Sequence, residues 1–375
     1  MFPAFLCRQK GVTKLLREGQ IRIPAGCALS GIMSKKGTLF SGEEIIKSIA
    51  LMHDRSNGLG GGFAAYGIYP QFKDLYAFHL FYENANARTK TEEFINHYFY
   101  VETAGKMPVR KHPRITNAPI IWRYFVTPKD YKMRQKELNE DEYTAEGVIY
   151  INSNIEGAYV FSSGKNMGAF KAVGYPEDVG EFYMLENYKA YLWTAHGRFP
   201  TNTPGWWGGA HPFTLLNWST VHNGEISSYD ANKRFIEMFG YKCNLQTDTE
   251  VITYLIDYLV RKQGLPLETA AEIVAAPFWE EIDAMPEEEK TRFTQLRTLY
   301  ASALINGPFS VIIGFNDGFM ALNDRLKLRP LVAAEKDDRV FVASEESAIR
   351  TICGNPDKVW APKGGEPVIV RLEKN

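Results

Sequence analysis

The chain reads as an α+β protein with layered sheets and helices. Strand-like segments gather at its two ends and helical segments lie between them, which is the pattern of layered α+β domains rather than of a doubly wound parallel sheet. The one glycine-rich stretch, "GLGGGF" at 58–63, has neither the dinucleotide-binding spacing nor a phosphate-binding lysine. With 375 residues, 45% of them hydrophobic and 13% aromatic, there is material for one large core or two ordinary ones.

Taken in order, "GEEIIKSIALMHDR" (42–55) spaces Ile45, Ile49 and Met52 on one helical stripe. "LYAFHLFYE" (75–83) and "GVIYINSNIEGAYVF" (147–161) read as strands because they are rich in aromatic and β-branched residues. Between them, 91–146 mixes a helix ("TEEFINHYFYV"), a strand ("APIIWRYFV") and a charged helical segment, and reads as an α/β insertion on a smaller core. "KAYLWTAHGRF" (189–199) is a strand running into a loop that contains Pro200, Pro204, Gly205, Gly208 and Gly209. "TDTEVITYLIDYLVRK" (247–262) opens on good N-cap residues and continues as an apolar helix. Two more helices run to about 302, and the tail alternates strands and turns through "FSVIIGF", "RVFVASE" and "EPVIVRL".

The formal net charge of -1 makes no electrostatic case for nucleic acid or an anionic membrane. No run of about 18 apolar residues is present. Four scattered cysteines (Cys7, Cys27, Cys243, Cys353) include no CxxC pair, which excludes a disulfide scaffold and a cysteine-rich metal or iron–sulfur site. "PAGC" at 24–27 faintly resembles a lipoprotein cleavage box, but "TKLLREGQIRI" before it is too charged for a signal peptide. A cytoplasmic protein is expected.

Four polar features stand out: Cys27 at the head of an apolar strand, Arg198 at a strand end, Asn223-Gly224 in "VHNGEISS", and Asp248 at a helix start. Each has a plain structural reading. Cys27 serves equally as a core thiol, Arg198 as a surface ion-pair partner, Asn223-Gly224 as an ordinary turn and Asp248 as a helix cap. As a set they suit one chemistry. An amide substrate with an α-amino acid head group needs a cation for its carboxylate and an anion for its ammonium, which Arg198 and Asp248 supply. Cleaving the amide needs a thiolate, and donors for the oxyanion that Asn223 and the Gly224 N–H provide.

These residues carry a resemblance. "HGRFPTNTPGW" is similar to H-x-R-F-S-T-N-T-x-P-x-W of glutamate synthases, with Pro200 in place of Ser. "HNGEI", "TDTEVI", "LNDRLKLRPL" and "FVASEESAI" follow in family order, with Lys327 where glycine is usual. From about 27 to 375 the sequence resembles the class II glutamine amidotransferases, which are N-terminal-nucleophile hydrolases, and most of all the amidotransferase portion of glutamate synthase. The resemblance implies a four-layer αββα sandwich in which residues 1–26 are a leader and 27–375 the catalytic domain. It implies Cys27 as the nucleophile forming a glutamyl thioester, Asn223 and Gly224 as the oxyanion hole, Arg198 on the glutamine α-carboxylate and Asp248 on its ammonium. The loop 199–208 would close over the substrate. Ala28 stands where the family has glycine, and "HDRSNG" replaces its "HRG", so Arg55 and Asn57 receive no role.

In this mechanism the base is the α-amino group of Cys27, with an ordinary pKa of about 7.7–8.0 against about 8.5 for a thiol. An amide nitrogen cannot act so, because its lone pair is delocalised; removal of 1–26 is therefore expected. Otherwise His196 or His222 would serve as base. No cofactor is expected on this chain. FMN and an iron–sulfur centre are expected on a glutamate synthase-type partner subunit that receives the ammonia. The alternatives are a subunit of N-methylglutamate synthase or a related transferase, and a regulatory subunit that senses glutamine without cleaving it.

Overall fold

Two antiparallel sheets stacked face to face form the centre of the molecule. In the computed structural model the described residues are 6–9, 12–15, 26–199 and 205–373. Most of residues 1–26, expected as a leader, and Pro200 to Pro204 of the loop expected to close over substrate, lie outside them. Within 1–26, Leu6–Gln9 pairs with Val12–Leu15 as a short antiparallel hairpin.

The larger sheet has seven strands in the order Met167–Ala172, Gly61–Tyr66, Leu192–Gly197, Ala28–Ser34, Arg339–Ala343, Val332–Lys336 and Lys358–Trp360. The smaller has five: Phe213–Leu215, Trp218–Gly224, Phe309–Phe315, Gly318–Asn323 and Val368–Arg371. Strand alternation sorts their side chains. In Ala28–Ser34, Leu29 and Met33 face the smaller sheet and meet Val221, Ile312 and Phe319. Ala28 and Ile32 face the opposite way, against Ile45 and Ile49 of helix Glu43–Ala50 and Val179 of helix Pro176–Phe182. A Cβ on Gly31 would lie 2.9 Å from Val342 Cγ2 and 3.4 Å from Ile312 Cδ1, so glycine there lets the two sheets close. On the outer face of the smaller sheet, Val311, Ile313 and Leu322 pack with Val251, Ile252 and Leu255 of helix Asp248–Asp257. The layer order is helix, sheet, sheet, helix: the αββα sandwich that the resemblance implied.

A third sheet, ordered Phe99–Lys106, Ile120–Pro128, Tyr76–Tyr82 and Ala158–Ser162, is covered on one face by helices Ala85–Tyr98 and Glu140–Asn154. Segment 91–146 is thus part of a wider unit that runs from 76 to 162. One expectation is corrected here. Residues 147–154 are the last two turns of a helix, not a strand. Asn139 caps that helix by accepting from Glu142 N at 2.8 Å, and Glu140, Asp141 and Glu142 suit the positive end of its dipole. Val148, Ile151 and Ile155 keep helical spacing toward the core, and the intervening Ile149 and Tyr150 disguise it as a strand. Asn152 then ends the helix by bonding both Val160 N, at 2.7 Å, and Val160 O, at 3.2 Å.

The inter-sheet layer yields a stability prediction. Ile312 is fully buried there. Ile312→Ala should lower unfolding free energy by about 2–5 kcal/mol, from lost transfer energy plus the cavity left behind. Urea unfolding checks this, and a change under 1 kcal/mol would mean that the two sheets do not interlock at this position.

Candidate active site

Strand register decides which residues meet. Gly197 pairs with Ala28, so the residues just beyond each, Arg198 and Cys27, emerge side by side at one end of the larger sheet. Cys27 continues the Leu29–Met33 alternation toward the smaller sheet. There, Val221 points between the sheets, and Asn223, two residues on, does the same, while His222 points to the outer helix and meets Thr249. The strand stops at Gly224, whose φ of 156° and surroundings admit only glycine: a Cβ would sit 2.1 Å from Pro308 O. Asp248 opens the helix packed against this strand, behind Thr247, which caps by accepting from Thr249 N at 3.3 Å.

Cys27, Arg198, Gly224 and Asp248 line one cavity of about 260 Å³, completed on its helix side by Tyr229 and Gln246. That volume is below the range typical of drug-sized ligands and suits a molecule the size of an amino acid. Asn223 lies beside the residue preceding Cys27, its Oδ1 3.1 Å from where a Cβ on Gly26 would sit. It is fully buried, and among the described residues neither Nδ2 nor Oδ1 has a hydrogen-bond partner. Leaving a buried amide unsatisfied costs on the order of 1–3 kcal/mol.

The electrostatics are uneven. Burial pushes the Cys27 thiol up, opposed by the Phe199 N–H, which donates to Sγ at 3.3 Å, and by the Arg198 guanidinium. Burial also lowers Arg198, while Cys27 and Asp248 work to keep it charged. For Asp248, burial would raise the carboxyl, but His222, at 3.4 Å, the Ile226 N–H, at 3.1 Å, and the Thr249 hydroxyl hold it below the usual carboxylate range. The Arg198 cation and the Asp248 anion therefore face the same small space, which Glu225 also lines.

Each candidate alternative base has one ring nitrogen engaged. His196 is fully buried with its pKa pushed down to about 3 by burial, and its Nε2 bonds His222 O at 2.9 Å. His222 directs Nδ1 at Asp248 Oδ1 and at Thr249 Oγ1, the latter 3.2 Å away. His211 stacks on His196 with ring centroids 3.9 Å apart and bonds Thr249 Oγ1 at 2.7 Å.

Sequence reading missed several residues. Arg55, left without a role, donates from Nε to Cys27 O at 3.3 Å and pairs with Glu345 at 3.1 Å. Glu345 belongs to "FVASEESAI", and Arg329, also close to Cys27, belongs to "LNDRLKLRPL". Those two motifs were the available signal. For His211, Tyr229 and Gln246 none was, since only the fold brings them in.

With this geometry in place, comparison with known proteins decides the family. The sequence pattern of the glutamine amidotransferases class-II matches residues 107–361. The chain belongs to the class II glutamine amidotransferases. The matched range includes Arg198, Asn223, Gly224 and Asp248, and Cys27 lies before it. An uncharacterized protein of Archaeoglobus fulgidus is 51% identical over 350 residues, 92% of each chain. The amidophosphoribosyltransferase of Methanocaldococcus jannaschii is 27% identical over 229 residues, 58% of this chain and 43% of that one. The glutamate synthase [NADPH] large chain of Bacillus subtilis is 30% identical over 206 residues, 48% of this chain and 13% of that one. This amidotransferase thus spans less than half the length of either named relative. Among the described residues no helix is long and apolar enough to cross a membrane.

The depressed Asp248 carboxyl gives a pH prediction. Its folded-state pKa lies below the unfolded value of about 3.9, so its stabilising contribution is complete above that value and is lost as pH falls through the folded one. The stability difference between wild type and Asp248→Asn should stay constant from about pH 8 to 5 and shrink only below about pH 4. Urea midpoints across that range measure it, and a difference that fades near pH 6 would place the carboxyl above its ordinary range instead.

Proposed function

We propose that this amidotransferase hydrolyses L-glutamine to glutamate and ammonia through a Cys27 thioester. It then passes the ammonia to a partner subunit of the glutamate synthase type. The observation that carries the reading is the pair Arg198 and Asp248, opposite charges on one amino-acid-sized cavity beside the Cys27 thiol. Arg198 takes the α-carboxylate and Asp248 the α-ammonium of glutamine, which leaves the side-chain amide pointing at Sγ.

Reaction then needs a base that the chain acquires by losing its leader. We place the mature N-terminus at Cys27. Its free amine takes the thiol proton as Sγ attacks the amide carbon, and the resulting oxyanion is held by Asn223 Nδ2 and the Gly224 N–H. As the tetrahedral carbon collapses, the ammonium returns its proton to the leaving nitrogen, ammonia departs and the glutamyl thioester remains. Water, deprotonated by the same amine, hydrolyses the thioester to glutamate and restores the thiol. The partner would carry the FMN and iron–sulfur chemistry that consumes the ammonia. Three free cysteines among the described residues agree with a reducing, cytoplasmic setting.

Cys27→Ala should abolish glutamine hydrolysis, and persistence of ammonia release in that variant would overturn the reading. Arg198→Met and Asp248→Asn should each raise KM for glutamine by about 30-fold or more, as expected for losing a charge-assisted contact. Intact-mass analysis of protein from its own host should give a chain that begins at Cys27. A full-length chain that hydrolyses glutamine would remove the amine from the mechanism, and inertness of the processed wild type would favour a glutamine-sensing subunit.

A further inference from the structure

The surroundings of Gly26, the residue just before the nucleophile, contain more positive charge than substrate binding needs. A methyl group placed on Gly26 would lie 3.1 Å from Asn223 Oδ1, 3.5 Å from Arg55 Nη2 and 3.6 Å from Arg329 Nη1. The Cys27 nitrogen is separated from Gly26 Cα only by the carbonyl carbon, so both guanidiniums sit in the immediate neighbourhood of the atom that becomes the α-amine. Arg329 also lies close enough to the Cys27 thiol to favour its ionised form.

Among the described residues, several charged groups around this nitrogen have a named partner, and one stands apart. Arg55 is compensated by Glu345, 3.1 Å away. Arg198 and Asp248 face the thiol from the strand end and the helix start, and Glu225 lines the same cavity. His222 faces Asp248. Arg329 remains. Its Nε is buried without a hydrogen-bond partner, and its backbone is fixed to the smaller sheet by Asn323 Nδ2, which donates to Arg329 O at 2.7 Å. The guanidinium thus places a positive charge beside the reacting end of the chain, from a backbone anchored to the smaller sheet.

We propose that Arg329 is a positioning residue for the base of the reaction: its guanidinium keeps the Cys27 α-amino group uncharged near neutral pH. The inference rests on the reading of Cys27 as a processed N-terminal nucleophile. A like charge within about 4–6 Å disfavours the protonated amine and lowers its pKa by about one unit. An ordinary α-amine with pKa about 7.7–8.0 is only about one-tenth free base at pH 7; one unit lower, it is about half free base. Arg329 thus sets how far below pH 8 the enzyme keeps its base.

The test uses the processed enzyme, Arg329→Met and Arg329→Lys, with thermal melts to confirm that each is folded. In Arg329→Met, the acidic limb of kcat/KM for glutamine should move up by about one pH unit. Activity should fall about sevenfold at pH 6.5 and less than twofold at pH 9. Arg329→Lys, which keeps the charge, should retain the wild-type limb. A second readout does not need turnover: the pH dependence of N-terminal carbamylation by cyanate, followed by peptide mass, should shift by the same amount. A uniform loss of rate at every pH would overturn the proposal, as would equal limb shifts in both variants or a carbamylation midpoint unchanged in Arg329→Met. If Arg329→Met does not fold, Arg329→Gln takes its place under the same criteria. Failure of the underlying reading looks different: a wild type with no free Cys27 amine, or activity that survives Cys27→Ala, and the proposal falls with it.

Discussion

The pairing of Ala28 with Gly197 determines what the rest of the site can be. It places two residues that lie outside any strand, Cys27 and Arg198, next to each other at the same end of the sheet, so that thiol and guanidinium are neighbours through backbone hydrogen bonds alone. A slip of one residue would turn Cys27 away from the smaller sheet and move Asn223 and Gly224 out of its reach. The face-to-face packing of Leu29 and Met33 on Val221 and Ile312 makes such a slip costly, because it would expose the whole apolar set. Catalytic geometry is thereby underwritten by the most buried layer of the protein.

Electrostatics are arranged around this frame with little tolerance for imbalance. Burial works against every charge at the site, raising the thiol and lowering the guanidinium of Arg198. Asp248 keeps its charge because three donors converge on it from a strand, a turn and its own helix. On the proposed reading, a zwitterionic ligand would meet the Arg198 guanidinium with its carboxylate and the Asp248 carboxylate with its ammonium. On the same reading the amide of Asn223, unpartnered among the described residues, gains a partner when negative charge develops on a substrate oxygen.

Legibility in the sequence followed chemistry more than topology. Cys27, Arg198, Asn223, Gly224 and Asp248 were readable because the proposed reaction demands those residue types and each sits in a short motif at the end of an element. The sandwich itself came from resemblance, since alternation along Ala28–Ser34 says that two faces are buried but not what buries them. Residues 147–154 misread as strand because Ile149 and Tyr150 fill the positions between a helical stripe, and only the packed insertion reveals which face is inward. His211, Tyr229 and Gln246 carry no local signature, because their place depends on how separate segments converge.

Arg55 and Arg329 belong to a third kind: visible in motifs, yet without meaning until the fold is known. Arg329 is more than three hundred positions from Cys27 in sequence and arrives through the smaller sheet, whereas Cys27 belongs to the larger one. The two sheets therefore do different work at the point where they meet. The larger carries Cys27 and Arg198. The smaller carries Asn223 and Gly224 and, through Asn323, anchors Arg329, and Asp248 stands on the helix that covers it. Cutting before Cys27 would change only one atom's bonding, from amide to amine, but that atom sits where both sheets have already placed their charges. Neither sheet has to rearrange for the base to come into being.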